Sequence, residues 1–328
     1  MSLPQSRCVI VTGGTANLGY YTALNIAKAR PDYQVIIASR SDKDKAAERI
    51  NRQLGQKNTV FVPLDLADEG SISAFAARWD SNPQSFPPIQ AFVMNAGLQF
   101  TGGLVTTPDR LEMTFAISHA GHALLFHLLC SHMAVGSRIV VTTSGLHDPK
   151  QPAMSGMPPP AFKPAEAAAR PPTSETDVPG RQRYATVKLV NLLWMYALVR
   201  QLAQREPERR ITVNGFDPGL MPGTKLARDA PKFERFMWNN VLPRLIPLLR
   251  VAVMPNVHSP KESGANQAQL AVGSQFEGVT GKYYMELTET EFSAESYDEQ
   301  KQDDIWNWTV NYFAKGDEAK KARFEALK

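Results

Sequence analysis

Short apolar runs, spaced by polar segments of helix length, set the rhythm of this chain. Residues 8–12 form a β-branched run that ends in the turn Thr-Gly-Gly-Thr-Ala-Asn-Leu-Gly at 12–19. An amphipathic pattern starts near Tyr20 and carries Ala23, Leu24, Ile26 and Ala27. That succession predicts strand, tight turn, helix. The alternation repeats, predicting strands at 34–39, 59–63, 91–94, 138–143, 211–216 and 281–285, and helices at 42–54 and 71–79. Residues 110–133 are apolar on more than one side, which predicts a buried helix. A helix from Tyr184 to about Arg205 carries Leu189, Val190, Leu192, Leu193, Trp194, Leu198 and Leu202 around nearly its whole circumference. Its cover is predicted to be the sheet on one side and a second helix or a second subunit on the other.

Strands alternating with helices in this way predict an α/β fold, a doubly wound parallel sheet with helices on both faces. Ligands in such a sheet sit beyond the carboxyl ends of the strands. Gly13, Arg40, Asp65, Asn95 and Ser144 each follow the last apolar residue of a predicted strand. One domain is predicted over 1–328, with a proline-rich insertion at 147–183, a lobe at 225–260 and a C-terminal helical tail at 296–328. Nine prolines fall between His147 and Gly180, where periodicity is lost; a stretch of that length is usually functional or disordered. Ile305, Trp306, Trp308 and Val310 are the predicted docking face of the tail.

Charge narrows the partners. The 36 basic residues are scattered among 32 acidic ones, so no nucleic-acid partner is expected. Cys8 and Cys130 have neither metal-ligand nor disulfide spacing, and buried reduced thiols in a cytoplasmic protein are expected. Residues 1–7 contain no apolar leader, and no apolar run approaches 18 residues.

Two motifs carry candidate chemistry. Gly13 and Gly19 allow a backbone to pass close to a phosphate, with the N–H groups of a helix N-terminus behind them. Tyr184-Ala-Thr-Val-Lys188 places a phenol and an ammonium on one helix face. The ammonium is expected to lower the tyrosine pKa towards neutrality, making a usable proton donor and acceptor.

The glycine turn after the first strand, Asn95-Ala96-Gly97 after the fourth and Ser144 after the fifth come in a fixed order with Tyr184-x-x-x-Lys188 and Pro218-Gly219. This ordered set, over about 7–225, resembles the short-chain dehydrogenase/reductase family. The resemblance implies a Rossmann-type fold, a nicotinamide cofactor and reduction of a carbonyl, or the reverse oxidation. It implies that Tyr184 donates the proton, that Ser144 hydrogen-bonds the carbonyl oxygen and that Lys188 holds the ribose hydroxyls. The cofactor would be bordered by Gly13, Thr15, Asn17, Leu18, Gly19, Ser39, Arg40, Asp65, Leu66, Asn95, Ala96, Gly97, Pro218, Gly219 and Thr224, together with Tyr184 and Lys188. Arg40 is the expected selector: an arginine there pairs with the 2′-phosphate of NADP(H), where an acid would bind the 2′-OH of NAD.

The Ala-Ser-Arg end of the second strand, the long insertion and the aromatic tail are most similar to the protochlorophyllide-reductase and retinol-dehydrogenase-like branch. The cysteine on which light-driven protochlorophyllide reduction leans is missing from 147–183. Ser118 stands where the family pattern has an asparagine that holds a water linking the lysine to solvent. His119 or His122 is a candidate relay, although satisfaction by helix neighbours is the favoured reading for both.

The expected substrate is a bulky hydrophobic or aromatic ketone or aldehyde. Its pocket would be walled by the insertion and by the Met- and aromatic-rich stripe that includes Phe233, Phe236, Met237, Trp238, Leu245 and Leu248. Sterol and polyketide ketones both fit that description. A membrane surface is a less favoured partner for the stripe, because Pro243, Pro247 and Pro255 interrupt it. A monomer and a homodimer are both compatible with the pattern. The alternative function is a non-catalytic dinucleotide-binding sensor or scaffold.

Overall fold

The computed structural model describes residues 5–150, 158–171, 178–224 and 232–327. Within them one sheet contains β1 (Arg7–Thr12), β2 (Tyr33–Ser39), β3 (Thr59–Pro63), β4 (Ile89–Met94), β5 (Met133–Thr142), β6 (Thr212–Asp217), β7 (Tyr283–Met285) and β8 (Thr288–Glu289). The spatial order is β3-β2-β1-β4-β5-β6-β7-β8. All pairs are parallel except β7 with β8. The chain winds one way through β1, β2 and β3 and the other way from β4, so a crevice opens at the carboxyl ends of β1 and β4.

The strands are buried on both faces, as parallel strands require. Cys8 and Ile10 point into one apolar core and Val9 and Val11 into the other. The second core is closed by α1 (Asn17–Ala29) and α2 (Ala46–Leu54). The first is closed by α3 (Glu69–Ser81) and by α4 (Met113–Phe115) and α5 (Gly121–Leu129), which a π-helical segment Ala116–Ala120 joins into one rod. The stretch Met113–His132 is long and apolar enough to cross a membrane by length and composition, but here it is the buried core helix expected from its pattern. A short α6 (Ala165–Ala169) precedes α7 (Gly180–Arg205). Then come α8 (Lys232–Phe236), α9 (Ile246–Ala252), α10 (Pro260–Val272), α11 (Glu299–Ala314) and α12 (Glu318–Ala326).

The second cover of α7 is α11: Trp194 and Leu198 share a core with Ile305, Trp306 and Val310. Trp308 lies at the edge of the predicted docking face: its ring meets Phe115 edge to face at 5.1 Å, and its Nε1 donates to Glu166 at 2.7 Å. Cys8 and Cys130 are free and buried, as expected.

The pattern did not predict β8, α10 or the short helices α6, α8 and α9. The S-P-K-E sequence at 259–262 is the signal for α10: Ser259 and Glu262 form a reciprocal capping box, with proline in the first turn. In the insertion and the lobe, residues 151–157, 172–177 and 225–231 lie outside the described residues. The described part of the insertion docks on α7 and α11, with Ala165 and Ala169 buried in the first core, Ala165 N–H donating to Asp304 and Ala161 N–H to Thr186.

Candidate active site

The turn after β1 places Gly13 at φ +67°, a left-handed position, and brings Gly19 so close that an added Cβ would lie 2.5 Å from the Gly13 carbonyl oxygen. The first turn of α1 has no side-chain cap and no acid, so its N–H groups face the crevice unclaimed. Such a terminus fits an anionic phosphate. The two central strands are tied together there. Asn95 N–H and Ala96 N–H donate to Thr12 Oγ1 at 2.9 and 3.0 Å, and Asn95 Nδ2 donates to the Thr12 carbonyl at 2.8 Å.

These elements bound a cleft of about 500 Å³. Its walls include Gly13, Thr15, Asn17, Leu18, Gly19, Ser39, Arg40, Asp65, Leu66, Asn95, Ala96, Gly97, Tyr184, Lys188, Pro218 and Thr224. The predicted residues are thus brought together with three exceptions: Ser118, Ser144 and Gly219 adjoin the cleft without lining it. Ser144 begins the turn after β5, and its Oγ accepts from Leu146 N–H at 3.4 Å. Thr142 and Thr143, just before it, do line the cleft, as do Lys43 and Met221, none of which the motifs indicated. Neither the described part of the insertion nor residues 232–258 form a wall, contrary to expectation. The lobe reaches the cleft indirectly, through Trp238 Nε1 donating to the Thr224 carbonyl at 3.0 Å. Its stripe is mostly turned outward, with Phe233, Phe236, Leu245 and Leu248 exposed and Ile246 buried.

Lys188 is buried, its Nζ donating to the Thr142 carbonyl at 3.1 Å and lying 5.3 Å from the centre of the Tyr184 ring. The expected lowering of the tyrosine pKa is not what this geometry gives. Burial, reinforced by the negative charge of Asp217, raises the Tyr184 phenol above its ordinary value. Burial brings Lys188 down to about 8, against the pull of Asp217. The ammonium sits over the ring face and is itself desolvated, so it does not offset the burial of the phenol. Tyr184 is therefore held as a neutral acid, the form a proton donor requires.

Ser118 Oγ is buried and makes no hydrogen bond among the described residues. An added Cβ on Gly97 would lie 3.3 Å from Ser118 Oγ and 3.8 Å from Lys188 Nζ, so these groups converge at the glycine. The neighbouring histidines are satisfied elsewhere. His122 Nε2 pairs with Thr12 Oγ1 at 2.8 Å and its Nδ1 with the Ser118 carbonyl at 3.2 Å; burial lowers its pKa to about 4. His119 pairs with Thr309 of α11 at 3.1 Å, away from the cleft, and burial lowers its pKa to about 3.

Fold and cleft together fit a nicotinamide-dinucleotide oxidoreductase, and the chain is similar to the short-chain dehydrogenase/reductase family and to its retinol-dehydrogenase-like branch. The short chain dehydrogenase profile matches residues 7–156, and that of the AcuH dehydrogenase domain matches 226–321. The chain is similar to polyprenol dehydrogenase of Danio rerio, 28% identical over 312 residues that span 92% of this chain and 84% of the relative. It is similar to retinol dehydrogenase 14 of Homo sapiens, 26% identical over 321 residues, 93% and 85% of the two chains. The crystal structure of L-sorbose reductase from Gluconobacter frateurii, complexed with NADPH and L-sorbose, shares the fold with a TM-score of 0.62 at 16% identity, covering 86% and 95%. The family acts on alcohols and ketones, and this chain is an oxidoreductase of that kind.

The residues present fit the dinucleotide. Gly13, Asn17 and the uncapped start of α1 would hold its phosphates, Asp65 and Leu66 the adenine side, and Lys188 the ribose next to the nicotinamide. When bound, the nicotinamide supplies a hydride to a carbonyl carbon. Tyr184, protonated in the wall of the cleft, would supply the proton at the oxygen, and Lys188 would hold positive charge close by.

Proposed function

We propose that this protein uses NADPH to reduce a bulky hydrophobic or aromatic ketone or aldehyde to its alcohol, with Tyr184 as proton donor. The observation that carries the reading is the pairing of Tyr184 and Lys188 at one end of the cleft with Arg40 at the other. Lys43 adds a second cation at the Arg40 end. The acid nearest in sequence, Asp42, is committed elsewhere: its carboxylate accepts from Ala46 N–H at 2.6 Å and Ala47 N–H at 3.3 Å, capping α2. Asp44 also lines this end, and the two cations Arg40 and Lys43 are what favours a 2′-phosphate there.

An apolar substrate is favoured by the polyprenol and retinol in the relatives' names. The free, buried cysteines suit a reducing, cytoplasmic setting. Cofactor choice tests the reading. Arg40→Ala is expected to weaken NADPH binding about 10- to 100-fold, the worth of a charge-assisted hydrogen bond, and to leave NADH binding unchanged. Equal affinity of the wild type for NADPH and NADH, with no effect of the substitution, would overturn the NADPH assignment. Absence of NADPH oxidation across a panel of aromatic and polycyclic ketones would leave the sensor or scaffold reading in its place.

A further inference from the structure

We propose that Asp217 is a positioning residue, whose carboxylate locks the turn behind Ser144 to the Pro218-Gly219 loop and orients both towards Tyr184. The side chain is 3% exposed at the end of β6. Its Oδ2 accepts from Gly145 N–H at 2.9 Å, from Asn256 Nδ2 at 3.0 Å and from the Tyr283 hydroxyl at 3.2 Å. Its Oδ1 accepts from Gly219 N–H at 2.9 Å. One carboxylate thus gathers the residue after Ser144, the residue after Pro218, the segment before α10 and strand β7.

The surroundings keep it in place. Gly219 has φ +72°, and an added Cβ there would fall 2.4 Å from Asn256 Oδ1, so the loop rests directly on Asn256. Asn256 is oriented in turn by His258, whose Nε2 lies 3.1 Å from Asn256 Oδ1 and 3.0 Å from Glu286. Arg250, itself paired with Glu262, reaches His258 Nδ1 at 3.1 Å. On the other side His147 fixes the Ser144 turn, its Nδ1 2.7 Å from the Ser144 carbonyl and its Nε2 accepting from Ser293 N–H at 3.2 Å.

A tether alone does not require a charge. Four neutral donors around a buried carboxylate are a costly way to join two loops when an amide or hydroxyl could do so. The charge has a second effect, because Asp217 acts on Tyr184 and Lys188 of α7, as well as on His147, Tyr283 and His258, through its field. That field adds to the burial that keeps the proton on the phenol and opposes the burial that draws it off the ammonium.

The catalytic part of this inference rests on the proposed reductase activity, so the test carries a structural readout as well. In Asp217→Asn, amide hydrogen exchange at Gly145 and Gly219 is expected to speed up at least 10-fold, with β1 and β4 unchanged. Ketone turnover is expected to fall at least 10-fold in kcat, with the alkaline limb of the pH–rate profile moved to lower pH. In Asp217→Glu, which keeps the charge but changes the reach, exchange should rise and kcat fall while the limb stays in place. Unchanged exchange at either glycine in a folded variant overturns the lock. A lowered kcat with an unmoved limb in Asp217→Asn overturns the field. If Asp217→Asn does not fold, wild-type exchange and kcat in Asp217→Glu overturn the inference. If the wild type turns over no ketone, the reductase reading fails and the exchange data alone decide the lock.

Discussion

A buried phenol next to a carboxylate's field keeps its proton, and a buried ammonium tends to lose one; Tyr184 and Lys188 show both effects. The motif made this pair visible in the sequence, through its spacing on a helix. The direction of the shifts was not visible, because it depends on burial and on Asp217, a residue 29 positions further along that the strand packing brings near. Reduction is therefore expected to slow as pH rises through about 8, where Lys188 loses its charge. A pH–rate profile checks this, and a flat profile between pH 7 and 9 would contradict it. Stability moves the other way at this one group. Its folded pKa lies below the ordinary 10.5, so the unfolded chain holds the proton longer and stability rises from about pH 8 upward.

The strand–turn–helix that opens the chain depends on close backbone approach. In Gly19→Ala the new Cβ would lie 2.5 Å from the Gly13 carbonyl oxygen, a backbone atom that can give way only by distorting the turn. The expected outcome is a loss of about 1–3 kcal/mol in urea unfolding, as for other overpacked sites, together with weakened dinucleotide binding. Wild-type stability and affinity in this variant would contradict the geometry. Most other elements were equally legible, since apolar runs such as 34–39 and 91–94 end at polar residues that line the cleft. Helix α10 was not, for a physical reason. It buries Ser263, Gly264 and Gln267 rather than a row of large apolar side chains. Gly264 lies against Tyr21 of α1, where a Cβ would come within 2.5 Å of the Tyr21 Cβ. Gln267 accepts from Thr22 at 2.7 Å and donates to Thr142 at 2.7 Å, joining α10 to α1 and β5. A helix held by close approach and hydrogen bonds leaves little trace in hydrophobic period, and only its capping box was there to be read. The predicted walls of the substrate pocket lie partly outside the described residues; the described stripe at 233–249, read as a cover from composition, does not line the cleft, because its placement depends on how the lobe docks.

Across the molecule, burial lowers the pKa of five histidines, His119, His122, His127, His147 and His258, which weakens the fold in acid. Burial lowers His119 and His127 to about 3 and His122 to about 4, all below the ordinary 6.5. Between those values and 6.5 the unfolded chain binds protons that the folded chain does not, so stability falls with pH by up to about 1.4 kcal/mol per pH unit for each. Urea midpoints at pH 7 and 5 measure the slope. His127→Phe, placed among the rings of Phe126, Trp306 and Phe324, is expected to reduce that slope while keeping the core filled. An unchanged slope would contradict the assignment. The packing of α11 on α7 also covers the surface that a helix-mediated dimer would need, so a monomer is expected on gel filtration. The proposed chemistry turns on one phenol, Tyr184, in the wall of the cleft. The most direct measurement compares wild type and Tyr184→Phe for NADPH oxidation with an aromatic ketone and for NADPH affinity. Turnover reduced about 10²- to 10⁴-fold or more with affinity nearly unchanged is the predicted result; turnover retained in the variant would contradict the role of Tyr184.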